Sequence, residues 1–217
     1  PAVKLAQQIG LNNIGQISMD MGIYRKISTN PAIALGVSET TLLDLTSAYA
    51  TFLNDGIRIS PYGLKKLKLE TGGSFSNRSI SSDPDRILKS ETAHSIVYML
   101  EEAVSNGTGK KAKFSNWEIA GKTGTTQDAR DAWFIGFTSE YIAGVWMGND
   151  NNEPLIGVTG GGLPAEIWSL IMNKIHTDLK PHPLPKNKIE LALFPNVIDS
   201  EYQPKTSQQG ASLIDKL

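Results

Sequence analysis

The period of the apolar positions changes several times along the chain, and each change predicts a change of element. PAVKLAQQIG puts Val3, Leu5 and Ile9 on one helical face and stops at Gly10, and a second short helix is expected over 14–22, ended by Gly22. The first pattern has no cap but Pro1, so the chain reads as a segment of a longer polypeptide. After a loop, Leu42, Leu45, Tyr49, Phe52 and Leu53 recur at helical spacing. Thr41 with Asp44 resembles a capping box in which Asp replaces Glu, and Asn54-Asp55-Gly56 supplies the closing glycine. Between 57 and 76 the period shortens, and Leu64, Leu67 and Leu69 beside Thr71-Gly72-Gly73 predict a strand pair around a turn. SNRSISSDPDR is a polar connector. Ala93, Ile96, Val97, Leu100 and Val104 then share one face of a helix expected over 90–105, and Gly107 and Gly109 break its period.

Next come three short segments rich in aromatic and β-branched residues: EIAGKTGTT, DAWFIGFTSE and YIAGVWMGND. Ser139-Glu140 separates the last two closely enough for a hairpin, so three consecutive antiparallel strands are expected. The glycine-rich VTGGG leads into a helix over about 163–175 with Pro164 in its first turn. Beyond Thr177, Pro181, Pro183, Pro185, Pro195 and Pro204 leave little periodicity, with IELALF the one strand-like run. This divides the chain into a domain at 1–177 and a Pro-rich tail at 178–217. Helices, a strand meander and a closing helix do not alternate as in a doubly wound sheet. They predict an α+β fold with an antiparallel sheet flanked by helices.

Composition narrows the chemistry. The 217 residues are 40% hydrophobic and 20% charged, ample for a real core. A net charge of −1, with only the short basic runs Lys65-Lys66-Leu67-Lys68 and Lys110-Lys111-Ala112-Lys113, argues against a nucleic-acid partner. The absence of cysteine excludes disulfides, thiolate metal sites and cysteine nucleophiles. His94, His176 and His182 stand far apart in sequence, so neither a metal site nor a cofactor is expected. No apolar run approaches the ~18 residues of a membrane span, and any membrane attachment is expected from a region outside this chain. Trp133, Trp146 and Trp168 read as core or sheet-face aromatics, and Asp128, Arg130 and Asp131 as a solvated turn. Asn149, Asp150, Asn151 and Asn152 read as a turn leaving a strand, and Gly160-Gly161-Gly162 as a close approach of loop to sheet.

The sharpest chemical signal is Gly121-Lys122-Thr123-Gly124-Thr125-Thr126. As a phosphate loop it fails, because the first glycine of G-x-x-x-x-G-K-[ST] falls on Asn116 and a strand pattern follows the lysine. A second candidate at Gly109-Lys110 has Val104 in the first slot and Lys111 in the last, and fails too. The alternative is the K-T-G element of serine acyl-transferases acting on acyl-D-Ala-D-Ala or β-lactams. There a cation and hydroxyls on a rigid strand hold a terminal carboxylate, and a backbone N–H stabilises the tetrahedral oxyanion. On a strand Lys122 and Gly124 share one register and Thr123 and Thr125 the other, while Gly124 lets a ligand approach closely. K-[ST]-G alone turns up by chance in roughly one chain in ten of this length. Followed by Thr125-Thr126, two further strands and a closing helix, it is far more specific.

Those residues carry a resemblance. GKTGTTQDARDAWFIGFTSEYIAGVWMGNDNN and VTGGGLPAEIW resemble the transpeptidase domain of class A, bifunctional penicillin-binding proteins, as do EEAVSNGTGKKA and ALGVSETTLLDLTSAYATFLNDG, over about residues 1–176. The resemblance implies a penicillin-binding protein/β-lactamase-like fold, here without its N-terminal part. It also implies peptidoglycan cross-linking by serine acyl transfer, with stem peptides and β-lactams as partners. By this resemblance Lys122 and Thr125 are catalytic. Lys122 supplies charge and polarises a neighbouring relay serine, and the Thr125 N–H forms half the oxyanion hole. Lys122, Thr123, Gly124, Thr125 and Thr126 bind substrate, and Gly107, Thr108 and Gly109 support the cleft.

Two further elements of that family are not found. No serine is followed three residues later by lysine: Ser212 reaches Lys216 only at the fourth place and Ser169 reaches Lys174 only at the fifth. Ser28-Thr29-Asn30 matches the relay motif S-x-N, but it precedes Pro31-Ala32-Ile33-Ala34-Leu35-Gly36, which in the family lies well after the true motif. Ser28 therefore reads as a turn or cap residue. The nucleophile and relay are expected in a missing N-terminal part of the same protein, and the chain alone is expected to be inactive at the periplasmic face of the inner membrane. Two rivals share the fold: a non-catalytic β-lactam-sensing or scaffold module, and a D-Ala-D-Ala carboxypeptidase.

Overall fold

The computed structural model describes residues 2–25, 27–28, 30–76 and 85–187. IELALF and residues 77–84 of the polar connector lie outside them.

Helix α1 (Ala2–Ile9) is followed by α2 (Leu11–Asp20), which starts three residues before the expected 14. The carbonyl of Gly10, a residue at φ 93°, accepts the N–H groups of Asn13 and Ile14, so the backbone alone starts the helix. Without a side-chain cap the sequence gives no start signal there. A 3-10 turn, Pro31–Leu35, is opened by the Asn30 side chain, which accepts the Ala32 N–H at 2.9 Å. Ser28 Oγ accepts the Asn30 N–H at 3.2 Å, so both ends of the S-x-N match are engaged in local turn bonds. Helix α3 (Leu42–Leu53) is capped as its sequence predicts, with Thr41 Oγ1 accepting the Asp44 N–H at 3.0 Å.

Strands β1 (Lys66–Lys68) and β2 (Ser74–Ser76) form the expected antiparallel pair, Leu67 opposite Phe75. Leu64, Leu67 and Leu69 stay exposed, so the alternation there marks a hairpin and not a core face. Helix α4 (Ser90–Ser105) is tied to the end of α3 by Asp55. The Asp55 carboxylate accepts from the Arg86 guanidinium at 3.0 Å and from Ser90 Oγ at 2.9 Å, and His94 Nε2 lies 3.0 Å from it. The hydrogen bonds from Arg86 and then Ser90 hold the Asp55 carboxyl below the usual carboxylate range.

Strands β3 (Ala120–Thr125), β4 (Asp131–Phe137) and β5 (Ile142–Gly148) form an antiparallel sheet in the order β3-β4-β5. Helix α5 (Leu163–Ile175) covers one face: Trp168 and Met172 are fully buried against Phe134, with Val104 of α4 and Phe114 completing the cluster. The Trp168 indole N–H donates to the Ala143 carbonyl at 3.0 Å, satisfying its one polar atom inside the core. The opposite face carries Ala120 and Phe137 under Val97 and Leu100, with Tyr49 and Phe52 of α3 packed beside them. Gly144 is required there, since a Cβ would sit 2.4 Å from Thr46 Oγ1 on α3. Behind the sheet, buried His176 joins Thr138 Oγ1 (2.8 Å) and the Met172 carbonyl (2.6 Å), while Phe114, Trp117 and Tyr141 pack around its ring.

The packed chain continues past 177, and residues through Asn187 belong to the same compact unit. Leu184 is 5% exposed in the α4–β4 cluster, and its N–H donates to Glu118 at 2.8 Å. Lys186 sits between Glu101 (2.6 Å) and Glu118 (3.1 Å). Partial burial works against charge on Glu118, but the Leu184 N–H and the Lys186 ammonium more than offset it and lower its pKa. Among the described residues, no helix is long and apolar enough to cross a membrane.

Candidate active-site wall on strand β3

Among the described residues strand β3 pairs on one side only, with β4, and no strand lies along its other edge. Cross-strand partners share a face. Thr123 stands opposite Phe134, which is buried under α5, and Lys122 stands opposite Ile135, which faces a cavity on the α3 side. That cavity encloses about 550 Å³ and is lined by Lys122 through Thr126, by Asp131, Trp133 and Tyr49, and by Ile23, Ile27, Ile33 and Leu35 through Thr40. Burial pushes the Tyr49 phenol up to about 12, so it is neutral at the cavity wall near neutral pH.

The candidate residues are held by short polar contacts. Lys122 Nζ donates to the Thr123 carbonyl at 2.9 Å, and no described carboxylate lies within salt-bridge distance of it. Thr123 Oγ1 is 2.8 Å from Thr108 Oγ1, and Thr125 Oγ1 accepts the Gly160 N–H at 3.0 Å. Thr126 Oγ1 accepts the Asp131 N–H at 2.8 Å, and the Asp131 carboxylate accepts the Trp146 indole N–H at 2.8 Å. Lys122, Thr123, Gly124, Thr125 and Thr126 thus line one cavity. Gly107, Thr108 and Gly109 lie behind the strand, touching it through Thr108.

Two glycine-rich loops brace the strand. The 107–109 turn is pinned to the end of α4 by Gly107 N–H to Glu102 O (3.1 Å) and Gly109 N–H to Ala103 O (2.9 Å). A Cβ on Gly160 would fall 2.3 Å from the Trp133 carbonyl and 2.4 Å from the Gly124 carbonyl, the close loop-to-sheet approach that the three glycines predict. A Cβ on Gly161 would meet the Thr108 carbonyl at 2.4 Å, so the two loops also brace each other.

The sequence reading took Asp131 for a solvated turn residue. It opens β4 and links Thr126 to Trp146, which the pairing of β4 with β5 brings beside it. Trp133 and Trp146 face each other across those strands, 6.2 Å between ring centroids, while Trp168 is core. No periodic signal links Asp131 to Trp146. Only the register does.

Residues 2–173 match the model of the Penicillin binding protein transpeptidase domain. The chain belongs to that family. Among relatives of this penicillin-binding transpeptidase domain is Penicillin-binding protein 1A of Aquifex aeolicus, 32% identical, with 89% of this chain and 27% of the relative aligned. Penicillin-binding protein 1A of Clostridium botulinum is 35% identical over 82% of this chain and 22% of its own length. The chain therefore spans about a quarter of the length of the curated relatives it matches. Among solved structures it resembles the penicillin-binding protein PonA1 from Mycobacterium tuberculosis, with TM-score 0.71, 25% identity, and 79% of this chain and 52% of that chain covered. Penicillin-Binding Protein 1A from Haemophilus influenzae gives TM-score 0.71 at 24% identity, over 88% of this chain and 34% of that one, a likeness of fold. The α+β architecture with a helix-flanked antiparallel sheet is thus that of penicillin-binding transpeptidase domains.

Proposed function

We propose that this chain supplies the carboxylate-holding wall of a serine-type D-Ala-D-Ala transpeptidase that cross-links peptidoglycan. The observation that carries the reading is that Lys122, Thr123, Gly124 and Thr125, consecutive on a strand unpaired on one side among the described residues, line one cavity. Lys122 holds positive charge where the terminal carboxylate of the stem peptide binds. Thr123, Thr125 and Thr126 hydrogen-bond to the ligand, and the Thr125 N–H stabilises the oxyanion. The nucleophile belongs to a part of the protein carrying S-x-x-K, which this sequence lacks. Its serine oxygen attacks the carbonyl of the penultimate D-Ala, and its proton passes through the base to the departing D-Ala amine as the C–N bond breaks. The resulting ester is then opened by an amine of a neighbouring strand.

A β-lactam presents a carboxylate to the same wall and leaves the serine acylated. A structure of PonA1 in complex with penicillin V, from a protein of like fold, supports this. The periplasmic face of the inner membrane is the site of action, with anchorage outside this segment. The transpeptidase domain comprises 1–177, with residues 178–187 packed onto it at the start of the Pro-rich arm.

Fluorescent penicillin tests the reading. The 217-residue chain alone remains unlabelled, and the polypeptide joining it to its S-x-x-K part is labelled once per molecule. Stoichiometric covalent labelling of the chain alone would overturn the assignment of the nucleophile elsewhere. Labelling of the joined protein without release of D-Ala from a stem peptide would favour the sensing or scaffold module, and release to water without cross-linking would favour the carboxypeptidase.

A further inference from the structure

Thr108 lies outside the K-T-G strand, and its side chain is exposed, so it contributes little to the core. Its position is nevertheless fixed from three directions. Gly107 and Gly109 on either side bond back to the last turn of α4, and the Thr108 carbonyl is packed under Gly161. A hydroxyl on so rigid a backbone, 2.8 Å from Thr123 Oγ1, restricts where the Thr123 proton points. The same occurs one register on. The Gly160 N–H occupies a lone pair of Thr125 Oγ1 at 3.0 Å, and a backbone N–H has no choice but to donate.

We propose that Thr108 is a positioning residue that donates its hydroxyl proton to Thr123 Oγ1, which leaves the Thr123 proton free for a ligand at the rim of the cavity. With one lone pair of each threonine filled by its loop partner, the Thr123 and Thr125 O–H groups are left for a ligand at the strand edge, where these residues and Lys122 line the same cavity. A carboxylate is acceptor-only and matches such a surface, whereas an ester or amide offers weaker acceptors and no charge. Were the Thr108–Thr123 bond reversed, Thr123 would turn a lone pair toward the anion, and the strand would oppose the ligand that Lys122 attracts. Thr108 thus sets the preference of the site for an anionic end-group through Thr123 without touching the ligand itself. This inference rests on the transpeptidase reading above.

The test uses the intact protein, with its S-x-x-K part, and compares acylation by benzylpenicillin with acylation by its methyl ester. T108V keeps the side-chain shape and loses the hydroxyl, while T108S keeps the hydroxyl. T108V is expected to lower the second-order acylation constant for the free acid roughly three- to tenfold, the scale of one hydrogen bond between neutral hydroxyls. The constant for the ester should change less than twofold, so the acid-to-ester ratio falls, and T108S should restore it. Unfolding midpoints should be unchanged, which separates positioning from folding. An equal loss for acid and ester, no loss in T108V, or failure of T108S to restore the ratio would overturn the assignment of Thr108. Failure of the wild-type protein to be acylated at all would overturn the transpeptidase reading and this inference with it.

Discussion

Gly160→Ala probes how the wall is held, and its cost follows from the geometry. Gly160 does not have a left-handed φ, so the substitution introduces no backbone strain of that kind. The difficulty is space, because the new Cβ would lie 2.3 Å from the Trp133 carbonyl, 2.4 Å from the Gly124 carbonyl and 2.8 Å from the Gly124 nitrogen. These are backbone atoms of a paired strand, so the loop must lift and break the Gly160–Thr125 bond. Overpacking of about 1–3 kcal/mol plus one lost hydrogen bond of about 1 kcal/mol gives roughly 2–4 kcal/mol of destabilisation. Gly157→Ala is the matched control. Gly157 has φ +70° with nothing within 4 Å, so only the left-handed strain of roughly 1–2 kcal/mol applies. Urea unfolding with a shared m-value measures both. A cycle with Thr125→Val adds a second reading: once Gly160→Ala has lifted the loop, removing the Thr125 hydroxyl should cost about 1 kcal/mol less than in the wild type. The reasoning fails if Gly160→Ala is no more costly than Gly157→Ala, or if the two substitutions in the cycle are additive.

Two other predictions concern the elements around the wall. Asp55→Asn keeps a side chain that tolerates φ 57° but removes the charge held by Arg86, Ser90 and His94. Because the folded pKa of Asp55 is lowered, its contribution is present above the ordinary carboxylate pKa of about 4 and fades as pH falls through the lower folded value. The melting-temperature gap between wild type and Asp55→Asn should therefore narrow below about pH 4, and a gap constant from about pH 7 to about pH 2.5 would contradict this. Leu184→Ala removes a side chain that is 5% exposed against Val97, Leu100 and Phe137, and should destabilise by roughly 2–3 kcal/mol in urea unfolding. A loss below about 0.5 kcal/mol, the scale of a surface substitution, would mean that residues past 177 do not contribute to the core.

The readable elements were those whose signals are local. The α3 cap at Thr41–Asp44, the 3.6-residue stripe of α4 and the three strands from Ala120 to Gly148 each lie within one element or between neighbours in sequence. The contacts that fix the site span greater distances: Thr108 to Thr123 bridges 15 residues, Thr125 to Gly160 bridges 35, and Leu184 to Glu118 bridges 66. No periodicity encodes such pairings, because each depends on two loops meeting once the sheet has formed. Leu184 was hidden further by the prolines around it, which break a pattern without preventing a single side chain from being buried. Exposed leucines in the 64–69 hairpin show the converse, an apolar alternation that sets strand geometry without burying its residues among those described.

The bracing of β3 by glycine backbones divides the surroundings of the site by evolutionary latitude. At Gly107, Gly160 and Gly161, in the 107–109 and 159–162 loops, main-chain atoms lie so close that they leave no room for a Cβ. Insertions or larger side chains there shift the strand itself. The intervening 149–158 turn has the opposite character: Ile156 is 97% exposed, and nothing lies within 4 Å of a Cβ on Gly157. Side chains at 156 and 157 have room to vary, with the turn itself held where the Leu155 N–H donates to the Ala129 carbonyl at 2.8 Å, while Gly107, Gly160 and Gly161 do not. A change of ligand preference that spares Lys122, Thr123 and Thr125 then falls to the other side chains lining the cavity, outside the motif by which such a site is usually recognised.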